Sequence, residues 1–178
     1  MQDDNTDQFE PAGTFYYFRR AIEIIRLNQQ TMTQVARDPN ALRFGIAVTA
    51  IGGALAFIPG KSIYGVFVGA LFSILALFLF SGFVHMFCGY SKGKEEYLSF
   101  ARIIGLSGIL DWTVITPLLG IVVTIWSVVI SIVAAQIVYP STGARATLAV
   151  LISAVVLWMI ALSTFFGPLS FLFDIPNQ

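Results

Sequence analysis

Few side chains in this sequence could do chemistry, and those that could lie inside stretches almost without charge. Asp111 sits in an apolar run from Leu98 to Ile115, and Gln136 lies near the end of a second run from Leu118 to Val138. A carboxylate at the midplane of a bilayer costs about 2.5–3.5 kcal/mol on insertion scales, so an acid there has a partner or a role. Together Asp111 and Gln136 could line a polar path for a permease or a lipid-handling protein. The position of Asp111 limits this reading. It precedes the Thr116-Pro117 turn by roughly 6 Å of helix rise, where bonding near the outer interface competes with a functional carboxylate. His85 and Cys88 are three apart and could offer two metal ligands, but no second cluster completes a site, so a packing histidine is expected. The sequence has no P-loop, HExxH or GxSxG and no carboxylate pair within one span. The expectation is a protein that is not an enzyme and uses no cofactor or metal.

These residues must be held by elements suited to lipid. Hydrophobic residues make up 57% of the chain and charged residues 11%, against about 25% charged in soluble domains, so a water-soluble fold could not cover its apolar side chains. With zero formal net charge, bulk electrostatics favours no nucleic acid. The single cysteine excludes an internal disulfide.

Crossing about 30 Å of hydrocarbon takes roughly 20 residues. Ala41 to Phe57 or Ile58 is near the minimum, Ser62 to about Gly89 is long enough to span with tilt or to project beyond the bilayer, and Gly143 to Phe166 is the final apolar run. The stretch from Leu98 to Tyr139 is too long for one span and contains Pro117. Either Leu98 to Ile115 and Leu118 to Val138 both cross, for five spans, or Leu98 to Asp111 lies along the interface, for four. Cytoplasmic segments are enriched in Lys and Arg. With five spans, one side holds Arg19, Arg20, Arg26, Arg37, Arg43, Lys92, Lys94, Arg102 and Arg145, and the other only Lys61. Four spans would move Arg145 outside. The fold class expected is therefore an all-α polytopic integral membrane bundle of five transmembrane helices, N-terminus cytoplasmic and C-terminus outside, preceded by a cytoplasmic amphipathic helix. Arg102 and Gln136, near inner span ends, would snorkel to the interface.

By region, residues 1–13 read as a disordered acidic tail, not a cleaved signal peptide. Residues 14–38 read as the amphipathic helix, 39–173 as the membrane domain and 174–178 as a short tail. In the amphipathic helix Phe15, Phe18, Ile22 and Ile25 recur at helical spacing, with Arg19, Arg20, Glu23 and Arg26 on other faces. Phe15, Phe18, Arg19, Arg20, Ile22 and Arg26 suit an anionic membrane surface; a helix packed on the protein's own cytoplasmic face fits as well. Asp38-Pro39 ends it, and Asn40 is the expected N-cap of the first span. Small residues recur every fourth position as Gly45, Thr49 and Gly53, as Gly65, Gly69 and Ser73, and as Ser127, Ser131 and Ala135. Such stripes let helices approach closely, either within the bundle or across a homo-oligomer face.

Arg37-Asp38-Pro39 before the first span, Gly89-Tyr90 with a basic loop after the second, and Pro117-Leu118-Leu119-Gly120 form a diffuse pattern. Ile125-Trp126-Ser127 and Gly143-Ala144-Arg145-Ala146 complete it. From about Ala21 to Phe166 the chain resembles the Yip1 domain family, and it is most similar to the compact prokaryotic branch. It lacks the Asp-Leu-Tyr-Gly-Pro motif and the long N-terminal region of eukaryotic members, which act in vesicle trafficking at Golgi and endoplasmic reticulum membranes, with links to Rab GTPases and membrane shaping. The resemblance implies a five-span protein with a cytoplasmic N-terminus, here in a prokaryotic cytoplasmic membrane. Two functions are expected from it and from the residues. One is a non-enzymatic scaffold or adaptor whose partners are the bilayer, a further copy of itself and a cytoplasmic protein. The other is the permease or lipid-handling protein using Asp111 and Gln136.

Overall fold

The computed structural model describes residues 13–57, 63–89, 93–113, 117–139 and 141–166. Within the described residues seven α-helices follow one another: α1 (Thr14–Ile25), α2 (Gln29–Arg37), α3 (Pro39–Phe57), α4 (Ile63–Gly89), α5 (Lys94–Ser107), α6 (Pro117–Val138) and α7 (Gly143–Phe166). A 3-10 segment, Gly108–Thr113, follows α5. Among the described residues there is no strand. Among the described residues three helices are long and apolar enough to cross a bilayer, over Ile63–Cys88, Leu119–Val138 and Gly143–Ser163, which points to a membrane-embedded chain. Their outer faces carry apolar side chains such as Phe67, Leu71, Ile121, Ile125, Leu148 and Val155, all exposed. The acidic tail up to Ala12, the Pro59-Gly60 turn, Lys92, the Thr116 turn and the segment after Phe166 lie outside the described residues.

The amphipathic segment is two helices, not one. At its C-terminus α1 closes in a Schellman arrangement: Leu27 N–H donates to the Ile24 carbonyl at 2.8 Å and Asn28 N–H to the Glu23 carbonyl at 3.1 Å. Leu27 takes the left-handed conformation, φ 59°, where glycine is usual. Asn28 then caps α2, its side-chain oxygen accepting the Thr31 N–H at 3.1 Å. Glu23 bridges the break, accepting the Thr31 hydroxyl at 2.6 Å and pairing with Arg19 and Arg20. The Thr31 bond, supported by Arg20 and Arg19, holds the Glu23 carboxyl below the usual carboxylate range.

The two helices form a hairpin docked on α5 and α6. α1 turns Tyr17, Ala21 and Ile24 inward, all buried, and leaves Phe15, Phe18 and Ile22 exposed. At the tip of the hairpin, Trp126 Nε1–H of α6 donates to the Ile25 carbonyl at 2.9 Å. At its base, Asp38 ends α2 and starts α3. Asp38, not Asn40, is the cap: Oδ1 accepts the Asn40 N–H at 2.9 Å, and Pro39, lacking an N–H, takes the first helical position. The other oxygen, Oδ2, accepts the Tyr17 hydroxyl at 2.8 Å, and Tyr17 stacks on Phe44 at 5.2 Å.

Burial, with the Asp38 carboxylate beside it, pushes the Tyr17 hydroxyl up to about 12. Because the folded value is raised above the unfolded one of about 10, the stabilisation is complete below pH 10 and is lost as pH rises through 12. Tyr17→Phe is expected to lower stability by about 1 kcal/mol at pH 8. In thermal melts the gap to wild type should narrow above pH 10, and a gap that widens there contradicts the assignment.

Helix α5 is the hub. It packs on α1, α2, α3, α4 and α6, and Phe100, Ala101, Arg102, Ile103, Gly105, Leu106 and Ser107 are buried. Arg102 does not snorkel: Nη1 donates to the Ala36 carbonyl at 2.6 Å, at the C-terminal end of α2.

Candidate functional site

Close helix contacts set the frame of the site. A Cβ at Gly45 would lie 3.0 Å from the Gly105 backbone, and one at Gly53 would overlap the Ser73 side chain and the Gly69 carbonyl. These glycines of α3 therefore face α5 and α4, within the chain. Gly65 lies one turn before Gly69 near the start of α4 and is partly exposed. Gly105, which the sequence reading passed over, is the counterpart of Gly45; the signal available was a glycine inside a helical pattern, which favours close backbone approach.

A cavity of about 360 Å³ opens among α3, α4, α5, α6 and α7, within the roughly 300–1,000 Å³ range of ligand pockets. Its polar lining comprises Thr49 of α3, Ser73 of α4, Ser107 of α5, Thr124, Ser127 and Ser131 of α6, and Asp111 of the 3-10 segment. Phe72, Leu77, Phe80, Val128, Leu157 and Trp158 are among the apolar walls. Thr124 to Ser131 covers about 10 Å of helix rise, so the polar strip extends well into the bundle.

Asp111 is positioned by its neighbours. Trp112 Nε1–H donates to the Val48 carbonyl at 3.1 Å and pins the 3-10 segment to α3. A Cβ at Gly52 would lie 3.2 Å from Asp111 Cβ and 3.3 Å from the Trp112 ring, so glycine at 52 admits the segment. The Asp111 residue is exposed and lines the cavity.

The hydroxyls have a directional bias. Ser131 donates to the Ser127 carbonyl at 2.7 Å, Ser107 to Ile104 at 2.8 Å, Thr124 to Gly120 at 2.8 Å and Thr49 to Gly105 at 3.4 Å. Each has one proton and has given it to backbone, so only lone pairs remain. No family model, no curated protein and no solved structure matches this chain. The site is read from its own chemistry: a strip of acceptors in apolar walls, with a carboxylate at one end.

Gln136 does not join it. It is exposed, five residues beyond Ser131, and a Cβ at Gly143 would lie 3.3 Å from its Nε2, which places it at the α6–α7 connection. His85 and Cys88 also lie apart from the cavity. The His85 Nδ1 is 3.2 Å from the Tyr139 hydroxyl, its ring meets Tyr97 edge-on at 5.9 Å, and Cys88 is buried. Among the described residues no group of three His, Cys, Asp or Glu could hold a metal. Of the membrane-surface set, Phe15, Phe18 and Arg19 are exposed, Ile22 and Arg26 face outward with them, and Arg20 turns to Glu23 and lies 5.0 Å over the Tyr16 ring.

Proposed function

We propose that this chain is a five-span integral membrane protein of the Yip1 type that handles an amphiphile by receiving its polar group in the cavity at Asp111. The observation that carries the reading is the seven-residue polar lining, Asp111 with six hydroxyls, enclosed by apolar walls open enough to admit a ligand. An apolar ligand would leave the Asp111 carboxylate and the free lone pairs of the hydroxyls unanswered, which is costly in a low-dielectric site. Gln136 has no part in this version.

The span count rests on α3 and on α5 with its 3-10 extension. At 19 residues, α3 rises about 28 Å, near the hydrocarbon thickness. The α5 hub, enclosed by other helices, favours a crossing over an interfacial helix. Five crossings leave Lys61 as the one basic residue outside and put the C-terminus there. A C-terminal reporter active only in the cytoplasm should therefore be silent, and activity would sink the five-span topology.

In liposomes, purified protein should accelerate lipid movement between leaflets, and Asp111→Asn should reduce that rate at least about tenfold, the size of one charge-assisted hydrogen bond. Equal rates for the two would remove the proposal. A scaffold role is supported by a different observation, the exposed Phe15, Phe18 and Ile22 on a helix already docked by its other face.

A further inference from the structure

We infer that the Asp111 cavity selects a hydrogen-bond-donating cation, a primary ammonium group carried on an apolar chain. The inference rests on the amphiphile-handling reading above and names its ligand class.

The polar lining supplies acceptors where a ligand would need donors. Four of its six hydroxyls, those of Thr49, Ser107, Thr124 and Ser131, already spend their protons on backbone carbonyls at 2.7–3.4 Å. Ionised, Asp111 is acceptor-only, with two oxygens. Among the described residues no lysine, arginine or histidine lines the cavity. An anionic headgroup would face the Asp111 charge and four spent hydroxyls in a low-dielectric site. A neutral alcohol could satisfy one or two acceptors and leave the charge. A primary ammonium brings three donors and a positive charge, and Ser73 and Ser127 add oxygens within the same strip. The apolar remainder of the ligand meets Phe72, Leu157 and Trp158, and Trp158 is two-thirds exposed, 67%, so the chain can leave between helices toward lipid.

The test uses the full-length protein in phosphatidylcholine nanodiscs and measures binding of three chains of equal length: dodecylamine, dodecanol and dodecanoate. Dodecylamine is expected to bind at least tenfold more tightly than either. Asp111→Asn should lose at least tenfold for the amine and little for the alcohol, and Ser127→Ala, which keeps the helix surface nearly unchanged, should lose about threefold for the amine. Helical content and monodispersity equal to wild type qualify each variant. Dodecyltrimethylammonium, with charge but no N–H, should bind less well than the primary amine. Replacing part of the phosphatidylcholine with phosphatidylethanolamine separates the sources. Competition by that lipid assigns the site to a headgroup, and competition only by soluble hexylamine assigns it to a free amine; both support the class. Dodecanol or dodecanoate binding as tightly as dodecylamine overturns the class while leaving amphiphile handling intact, as does an unchanged amine affinity in both variants. Failure of all the chains to bind overturns both.

Discussion

Gly53→Ala will destabilise the protein, although alanine is the better helix former. The propensity gain is about 1 kcal/mol. Against it stands overlap of the new methyl with the Ser73 side chain and with the carbonyl oxygen of Gly69. The serine can rotate, but the carbonyl is backbone inside α4 and moves only if the helices part. Overpacking costs about 1–3 kcal/mol, and more where backbone must shift, so the contact outweighs the propensity. Gly82 supplies the control, since a Cβ there has Tyr97 Cε2 at 4.0 Å as its nearest neighbour and Gly82→Ala should be neutral or stabilising. Thermal unfolding in detergent reads both, and equal midpoints for the two variants would contradict the α3–α4 contact. Ser73→Gly in the Gly53→Ala background should restore part of the loss.

At Arg102 the conservative substitution is expected to be the harmful one. The Ala36 carbonyl near the end of α2 accepts from Arg102 Nη1 at 2.6 Å and from Ser99 Oγ at 2.8 Å. The guanidinium is buried, its Nε has no partner, and its carboxylate neighbour, Glu95, is exposed and 3.8 Å away. Arg102→Lys keeps the buried charge and loses the fork that reaches two partners, a loss of about 3 kcal/mol. Arg102→Met removes the charge and the unpaired N–H while keeping volume, and Ser99 still satisfies Ala36, so the change is expected within about 1 kcal/mol. Trypsin cleavage at Arg26 and Arg37 reports release of the hairpin. It should be fast in the lysine variant and near wild type in the methionine variant; the reverse order would show that the charge itself holds the hairpin.

Helical class and the three long apolar segments were legible because their signal is composition summed over many residues. The hairpin was not. Leu27 is an ordinary helix residue by type, and only the Schellman bonds and the cap at Asn28 reveal that the chain turns there. Asp38 was missed as a cap because Asn40 has the same preference and proline at the first helical position had to be weighed against it. The serine and threonine stripe was legible as spacing but ambiguous in meaning. Small residues permit close approach where they face glycine, as Gly105 faces Gly45 and Ser73 faces Gly53, and they line open space at Ser127 and Ser131. Which of these happens depends on the facing helix, and one sequence does not say which helices face. Asp111 and Gln136 were grouped by chemistry alone, and the direction of α6 separates them.

The bond from Trp126 to the Ile25 carbonyl lies 12 residues before the end of α6 at Val138, about 18 Å of helix. On this flank the hairpin covers the lower half of α6, while α4 and α7 stay bare over most of their length. Set in a bilayer, such a body has a hydrophobic girdle that is tall on one flank and short on the other. Lipid meeting the short flank must thin or tilt to match it, at fractions of a kcal/mol per Å of mismatch. In a bilayer such a girdle would couple local thickness to the tilt of the body.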